Sequence, residues 1–147
     1  MITRYTRPEM GDIWSPESRF ECLLEVELAV AKAQAKLKII PEKAYRDLKA
    51  KAKFSVARID EIEKTTKHDV IAFVSNVAEN VGPSGRYLHY GMTSSDVLDT
   101  ALSVQIVKAS VELFSRFDRL ETILEKLVKK HSFTLSAGRT HGMHAEV

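Results

Sequence analysis

Four short segments of this chain combine side chains that can bind an anion or move a proton. They are Lys67-His68-Asp69, the run from His89 to Ser95, the run from Gly138 to His144, and the pair Arg4-Tyr5. Histidine suits acid–base work near neutral pH, and hydroxyl, guanidinium and ammonium groups donate hydrogen bonds to carboxylates and phosphates. The question is therefore which elements the sequence places around each segment.

Lys67-His68-Asp69 lies between a polar stretch and the apolar run Val70–Phe73, where the sequence predicts the start of a helix. Asp69 can cap that helix. Alternatively, an imidazole and an ammonium at a helix N-terminus, where free backbone N–H groups favour anions, form part of a binding site. The residues alone leave both interpretations open.

The stretch HYGMTSSDVLDT, residues 89–100, also leads into a predicted helix. One hydroxyl from Thr93, Ser94 or Ser95 suffices to cap it. The other two hydroxyls, together with a glycine at position 91 that lets a ligand approach the backbone, suit a carboxylate or phosphate. The neighbouring His89 can supply a proton or a positive charge.

The stretch GRTHGMH, residues 138–144, gathers Thr140, His141 and His144 around two glycines. It is either a solvated loop or part of an acid–base site. A metal bound by His141 and His144, with Glu146 or His68 as a further ligand, is an alternative. We predict no metal, because the spacing matches no recognisable metal-binding pattern.

Arg4 and Tyr5 stand so near the N-terminus that they resemble an unstructured tail. A guanidinium beside a phenol can, however, bind a phosphate. On its own this pair is a weak indication of function.

The composition excludes several classes of protein. The 22 basic and 20 acidic residues give a formal charge of +2 without a dense basic block, so we expect no nucleic-acid partner. Cys22 is alone, which excludes a disulfide within the chain and favours a reducing compartment. No apolar run resembles a signal peptide or a membrane span. We therefore expect a soluble cytoplasmic protein without a membrane partner.

Hydrophobic periodicity predicts an all-α protein without strands. Ser15-Pro16 marks the start of a first helix, Pro41 opens a second, Ser55 is predicted to cap a third, and a fourth stops at Gly82-Pro83. The longest helix is predicted from about Ser95 to Lys130, on the order of 50 Å. A polar loop is expected after it. These elements divide the chain into an N-terminal helical domain, residues 1–91, and the start of a long-helix bundle, residues 92–147.

An apolar stripe runs along one face of the predicted long helix. A chain of 147 residues has too few other residues to bury this face. We therefore expect this helix to pack against further chain or against other subunits. The stripe comprises Leu102, Ile106, Val107, Ala109, Val111, Leu113, Phe114, Phe117, Leu120, Leu124 and Leu127.

Taken in order, the motifs RYTRPEM, WSPESRF, KHDVIAF, HYGMTSSDVLDTAL and GRTHGMHAE resemble the N-terminal part of the adenylosuccinate lyase family, in the fumarase/aspartase superfamily. The resemblance covers all 147 residues. The T-S-S-D and G-R-T-H blocks are typical of the superfamily. The combination of HDV-x-AF with HGMHAE is typical of adenylosuccinate lyases.

The resemblance implies a cofactor-independent β-elimination in purine nucleotide biosynthesis. Adenylosuccinate would give AMP and fumarate, and the succinyl-carboxamide ribotide would be a second small-molecule substrate. Position by position, His141 corresponds to the general acid, with Thr140 beside it, and Thr93 and Ser94 to the succinyl carboxylate site. His68 would orient the ligand or the acid, flanked by substrate-binding Lys67 and Asp69. Arg4 and Tyr5 would hold the phosphate, and His89 is a further substrate-binding candidate.

The resemblance also implies parts that these 147 residues do not contain. The family's catalytic base is a serine on a downstream loop, and its active sites form in a homotetramer from three subunits. We therefore expect a truncated fumarase/aspartase-like fold that is inactive alone. Two alternatives stay open: another lyase of the superfamily with a different leaving group, or a non-catalytic helical module that oligomerises through residues 95–130.

Overall fold

The computed structural model describes residues 2–145, and the chain is predominantly helical, which confirms the all-α prediction. A 3-10 turn, Thr3–Tyr5, precedes six α-helices, and a second 3-10 turn, Pro83–Tyr87, separates the last two. The helices are α1 Pro8–Ile13, α2 Pro16–Lys36, α3 Glu42–Lys51, α4 Val56–Thr66, α5 Asp69–Val81 and α6 Ser94–His131; two short strands follow, β1 Arg139–Thr140 and β2 Met143–His144.

Several helix ends lie where the capping residues predict them. The Ser15 hydroxyl accepts a hydrogen bond from the Ser18 backbone N–H at 3.1 Å, which caps α2. Helix α5 ends at Val81 and is followed by the C-cap Gly82, whose φ of 79° few residues other than glycine adopt. Helix α6 has 38 residues and is therefore about 57 Å long.

Two local predictions were wrong, and one helix was not predicted. Helix α1 was not predicted, because its six residues are too few to show helical periodicity. Ser55 precedes α4, but its side chain makes no capping hydrogen bond; instead the buried Asn76 accepts a hydrogen bond from the Ser55 N–H at 2.8 Å. The expected polar loop near the C-terminus contains β1 and β2, which are two residues each and too short to show strand alternation.

The described chain forms two compact units, one ending at Ser110 and one beginning at Val111. The first unit has a continuous apolar core built from α2, α3, α4, α5 and the beginning of α6. The Phe20 and Phe73 rings stack within it, and the partly buried Phe54 meets both at an angle, with all three ring centroids 5.6–6.2 Å apart. Gly85 is required by packing, since a Cβ there would lie 2.8 Å from the Ala78 Cβ. This core fixes the start of α5 and the loop before α6 relative to α2.

The second unit contains the rest of α6 and the hairpin. The apolar side chains of α6 in this unit are exposed, among them Phe114 at 66% and Phe117 at 58%. This agrees with the expectation that the stripe requires further packing partners. None of the described helices combines the length and apolarity needed to cross a membrane. The domain boundary at residue 91 stays a prediction.

Candidate functional site

The start of α5 is capped by His68 and not by Asp69, which is the first helical residue. Lys67 ends α4 in the left-handed conformation, with φ 54°, and His68 then adopts an extended backbone. The His68 Nδ1 accepts a hydrogen bond from the Ile71 backbone N–H at 3.3 Å. A nitrogen that accepts cannot carry the proton, so the neutral His68 ring carries its proton on Nε2. The His68 side chain is 41% exposed, which leaves Nε2 available as a donor.

Asp69 connects the start of α5 to α2. Its Oδ2 accepts a hydrogen bond from the Arg19 guanidinium at 2.9 Å, and its Oδ1 accepts one from the Val70 N–H at 2.8 Å. The carboxylate also lies at the positive end of the α5 dipole. Arg19 therefore fixes the position of the residue next to His68, although the pair is partly exposed.

The start of α6 places Thr93 and Ser94 at a helix N-terminus. Asp96 is two residues into the helix beyond Ser94, and its Oδ2 accepts a hydrogen bond from the Thr93 backbone N–H at 2.9 Å. This is the return bond of a capping box, in which a side chain one turn into the helix binds the backbone of the capping residue. Thr93 is exposed and Ser94 is half-buried. Ser94 thus lies in the first turn, where backbone N–H groups favour an anion.

The loop before α6, His89–Thr93, is held by a buried carboxylate on α2. Both Glu27 oxygens contact His89: Oε2 accepts from its backbone N–H at 2.8 Å, and Oε1 lies 2.7 Å from its ring Nδ1. Glu27 is only 1% exposed. Burial raises the pKa of Glu27, while its hydrogen bonds to His89 and the charge interaction with it act in the opposite direction. His89 itself has φ 59°, in the left-handed region.

A second side chain of α2 holds the same loop. The Gln34 side-chain amide donates a hydrogen bond to the Tyr90 carbonyl at 2.7 Å. Gln34 follows Glu27 by seven residues, so both side chains point from one face of α2. Sequence reasoning missed both. The available signal was that Glu27 lies one turn from Leu23 and one turn from Ala31, so that a charged residue stands on the predicted buried face.

Thr140 and His141 lie on the hairpin of the second unit. His141 has φ 49° and Gly142 has φ 72°, and together they form the two-residue turn between β1 and β2. Positive φ at both positions is typical of a type I′ turn. The Ala145 N–H also donates to the Gly138 carbonyl at 2.9 Å. Thr140 and His141 are both exposed.

Arg4 and Tyr5 lie in the first 3-10 turn. The guanidinium carbon of Arg4 is 4.7 Å from the centroid of the Tyr5 ring, a cation–π contact. Both side chains are exposed, Tyr5 at 75%. The two groups therefore form a local pair that can present a cation to an anionic ligand.

The predicted residues fall into separate groups. His89, Thr93 and Ser94 share one segment, and His68 with its neighbours occupies another segment of the first unit. Within the described part of the first unit, no hydrogen bond or ion pair joins these two segments. Thr140 and His141 belong to the second unit. Their assignment to one active site is accordingly still a prediction.

A cavity of about 460 Å³ in the first unit does not include any predicted site residue. Its lining combines the start of α2 with the first turns of α6: Trp14, Ser15, Pro16, Arg19, Leu23, Leu98, Asp99, Ala101, Leu102 and Gln105. The lining is mostly apolar and holds no histidine. We therefore assign the candidate chemistry to the helix starts and not to this cavity.

Metal-ligating side chains do not cluster among residues 2–145: no group of three or more His, Cys, Asp or Glu could hold an ion there. Glu146, one ligand of the alternative metal site, lies outside the described residues.

A family model and two relatives of known family match this chain along almost its whole length. A family model described as lyase matches residues 3–147. The chain is 49% identical to an adenylosuccinate lyase of Synechocystis sp. and 45% identical to one of Bacillus subtilis, each over 146 residues. Each alignment covers 99% of this chain and 34% of the relative, so the chain spans about a third of the length of these proteins.

A solved structure shares the fold. The fumarate lyase of Mesorhizobium sp. BNC1 superimposes with a TM-score of 0.86 at 32% identity, over 92% of this chain and 33% of that one. The resemblance inferred from the motifs is thereby confirmed.

Proposed function

We propose, since this chain belongs to the lyase family, that it contributes to a carbon–nitrogen lyase that cleaves adenylosuccinate to AMP and fumarate. The observation that carries the proposal is the 49% identity to an adenylosuccinate lyase over 146 residues. The succinyl-carboxamide ribotide is proposed as the second substrate. Both are small anionic molecules, in keeping with two helix starts that can each bind an anion.

The proposed reaction is a β-elimination. A base removes the proton next to a succinyl carboxylate, the C–N bond breaks, and an acid protonates the departing nitrogen. The intermediate accumulates negative charge on that carboxylate, so donors placed around it lower the barrier. Thr93 and Ser94, at the N-terminus of α6, are proposed to be those donors.

His141 is proposed to be the acid that protonates the departing nitrogen, with Thr140 contacting the substrate beside it. His68 is proposed to bind substrate through Nε2–H, since its Nδ1 is already bonded to the α5 backbone. Lys67 would add a positive charge and Asp69 would fix the segment.

The proposal also covers the binding of the phosphate, the catalytic base and the assembly of subunits. Arg4 and Tyr5 are proposed to hold the nucleotide phosphate. The base is proposed to come from a downstream serine loop and the active site to form in a homotetramer. The exposed apolar face of α6 supports assembly, because so much uncovered apolar surface is unusual for a monomer. The reaction as proposed needs no cofactor and no metal.

The test is fumarate release from adenylosuccinate by the complete product of the gene that encodes these residues. Ser94→Ala should lower kcat/KM by about a hundredfold, the loss typical of one donor to a developing oxyanion. Ser95→Ala is the matched control, since its hydroxyl is adjacent and exposed but is not assigned to the substrate. Equal activity of Ser94→Ala and wild type would contradict the anion-site assignment.

A second candidate is another fumarate-releasing lyase with a different leaving group, favoured by the structural similarity to the Mesorhizobium protein. It predicts turnover of a different substrate that yields fumarate, with adenylosuccinate inert. The lower identity of 32% to that protein, against 49% to the Synechocystis relative, makes it the second choice. A non-catalytic module would instead leave every function intact in His141→Ala.

A further inference from the structure

Glu27 is a buried carboxylate to which the proposed reaction gives no role. It lies in the middle of α2 among apolar residues, at 1% exposure. Burying a charged group costs free energy unless hydrogen bonds compensate, so its position requires a partner. That partner is His89, 62 residues away in the chain.

The two carboxylate oxygens make two different contacts with His89. Oε2 accepts the backbone N–H at 2.8 Å, which fixes the loop, and Oε1 contacts the ring Nδ1 at 2.7 Å, which fixes the imidazole. A purely structural tie needs only the first contact. Gln34 provides such a tie to the next residue, Tyr90, through one bond to the backbone carbonyl. Glu27 does more, because it also orients the imidazole ring of His89.

We propose that Glu27 is a positioning residue of the reaction: it accepts hydrogen bonds from the His89 backbone N–H and from Nδ1–H, and it holds the ring so that Nε2 faces an anionic group of the substrate. Nε2–H donates to that group in the protonated imidazole, in which both ring nitrogens are donors and the Glu27 carboxylate balances the charge. This inference rests on the proposed function and extends it to a residue that does not touch substrate. Carboxylate–imidazole pairs of this kind set which ring nitrogen carries the proton and how the ring points. His89 precedes the proposed Thr93–Ser94 anion site in the chain, four residues before Thr93, which caps α6.

The location of the His89 ring proton tests this role independently of activity. In the wild-type chain, 15N NMR of the neutral ring should show the proton on Nδ1. In Glu27→Gln, the amide oxygen should accept the backbone N–H and the amide NH₂ should face Nδ1, which moves the proton to Nε2. Glu21→Gln, an exposed position on the same helix, is the matched control and should leave the ring unchanged.

Two NMR results would overturn the proposal: a wild-type ring protonated on Nε2 alone, or a ring whose protonation site is the same in Glu27→Gln. Should Glu27→Gln fail to fold, the wild-type spectrum still decides between the two states of the ring. His89→Asn then serves as the second variant, with KM for adenylosuccinate as its readout. Its side-chain amide can replace Nδ1–H at Glu27 but it lacks the nitrogen that faces the substrate, so KM should rise, and an unchanged KM would overturn the proposal.

Steady-state kinetics of the complete gene product test the link to substrate. Glu27→Gln should raise KM for adenylosuccinate about tenfold or more, the loss expected for a charge-assisted hydrogen bond, with a smaller change in kcat. Glu21→Gln should match the wild type. Wild-type turnover with an unchanged KM in Glu27→Gln would overturn this proposal alone, whereas an inactive wild type would overturn the proposed function as well.

Product inhibition identifies the anionic group. Weaker inhibition of Glu27→Gln by AMP, with inhibition by fumarate unchanged, assigns Nε2 to the phosphate. The reverse pattern assigns Nε2 to a succinyl carboxylate. Unchanged inhibition by both products would contradict any contact between Nε2 and an anionic group.

Discussion

The starts of α5 and α6 each follow a histidine, yet the two imidazoles are used in opposite ways. His68 accepts a hydrogen bond at Nδ1 from the Ile71 backbone, so its neutral ring has Nε2–H. His89 directs the same nitrogen at the carboxylate of Glu27, which accepts. Two similar motifs thus produce one neutral ring that donates through Nε2 and one ring that donates through Nδ1. The partner of Nδ1, and not the histidine, decides this chemistry.

The hydrogen-bond partners of the two Nδ1 atoms also differ in burial. Burial determines how much stability is lost when each hydrogen bond is removed. Ile71 offers a backbone donor at a half-exposed helix start, where water can replace a lost bond. Glu27 is a buried carboxylate, where water cannot. Loss of the His89 contact should therefore cost much more than loss of the His68 contact.

The largest expected effect is that of His89→Ala on stability. It removes one partner of a buried carboxylate and places alanine at φ 59°, so the free energy of unfolding should fall by about 2–4 kcal/mol. Urea denaturation of this variant and wild type measures the difference.

His89→Asn is the matched control. Asparagine tolerates the left-handed conformation, and its amide can donate to Glu27, so stability should stay within about 1 kcal/mol of the wild type. Equal losses in both variants would show that the Glu27 contact contributes nothing beyond the imidazole's own packing.

At the other histidine, His68→Ala should cost about 1 kcal/mol, the usual value for a lost helix cap. His68→Asn should restore that stability, since asparagine is a strong capping residue, but it should not restore lyase activity. The same denaturation measurement, paired with fumarate release, separates the cap from the catalytic contribution. A cost as large as that of His89→Ala would remove the contrast between the two helix starts.

The raised pKa of Glu27 predicts a pH dependence. A carboxyl whose pKa is higher in the folded than in the unfolded state contributes stability below about pH 4.5, and that contribution is lost as the pH rises through the folded pKa. The stability advantage of wild type over Glu27→Gln should therefore decline from pH 4.5 upward. A denaturation series against pH checks this; an advantage that grows with pH would mean that the hydrogen bonds to His89 outweigh burial.

The smallest expected effect is that of Asp69→Asn, which weakens the pair with Arg19. The side chains are 45% and 38% exposed, so the loss should be below about 1 kcal/mol. It should shrink further in high salt, because exposed charges are screened. A large, salt-independent loss would place Asp69 in the same energetic class as Glu27.

Local residues were enough to predict the helices α2 to α6. Ser15-Pro16 and Gly82-Pro83 fix helix ends through backbone φ and capping bonds that depend only on neighbouring residues. The long α6 followed from an uninterrupted apolar repeat without Gly or Pro. The motifs that resemble a lyase are short and follow one another along the chain, so they could be recognised without the fold. The match of the lyase family model to residues 3–147 confirms the family.

Tertiary structure alone decided the rest, because it depends on residues far apart in the chain. Glu27 looked like one more polar residue of α2 until folding brought His89 to both of its oxygens. The cap of α4 likewise depends on Asn76, 21 residues downstream, and not on the Ser55 hydroxyl. Sequence therefore determined which histidines precede helices. Packing determined which nitrogen of His68 and His89 is left for chemistry, since only the fold supplies an acceptor or a donor to Nδ1.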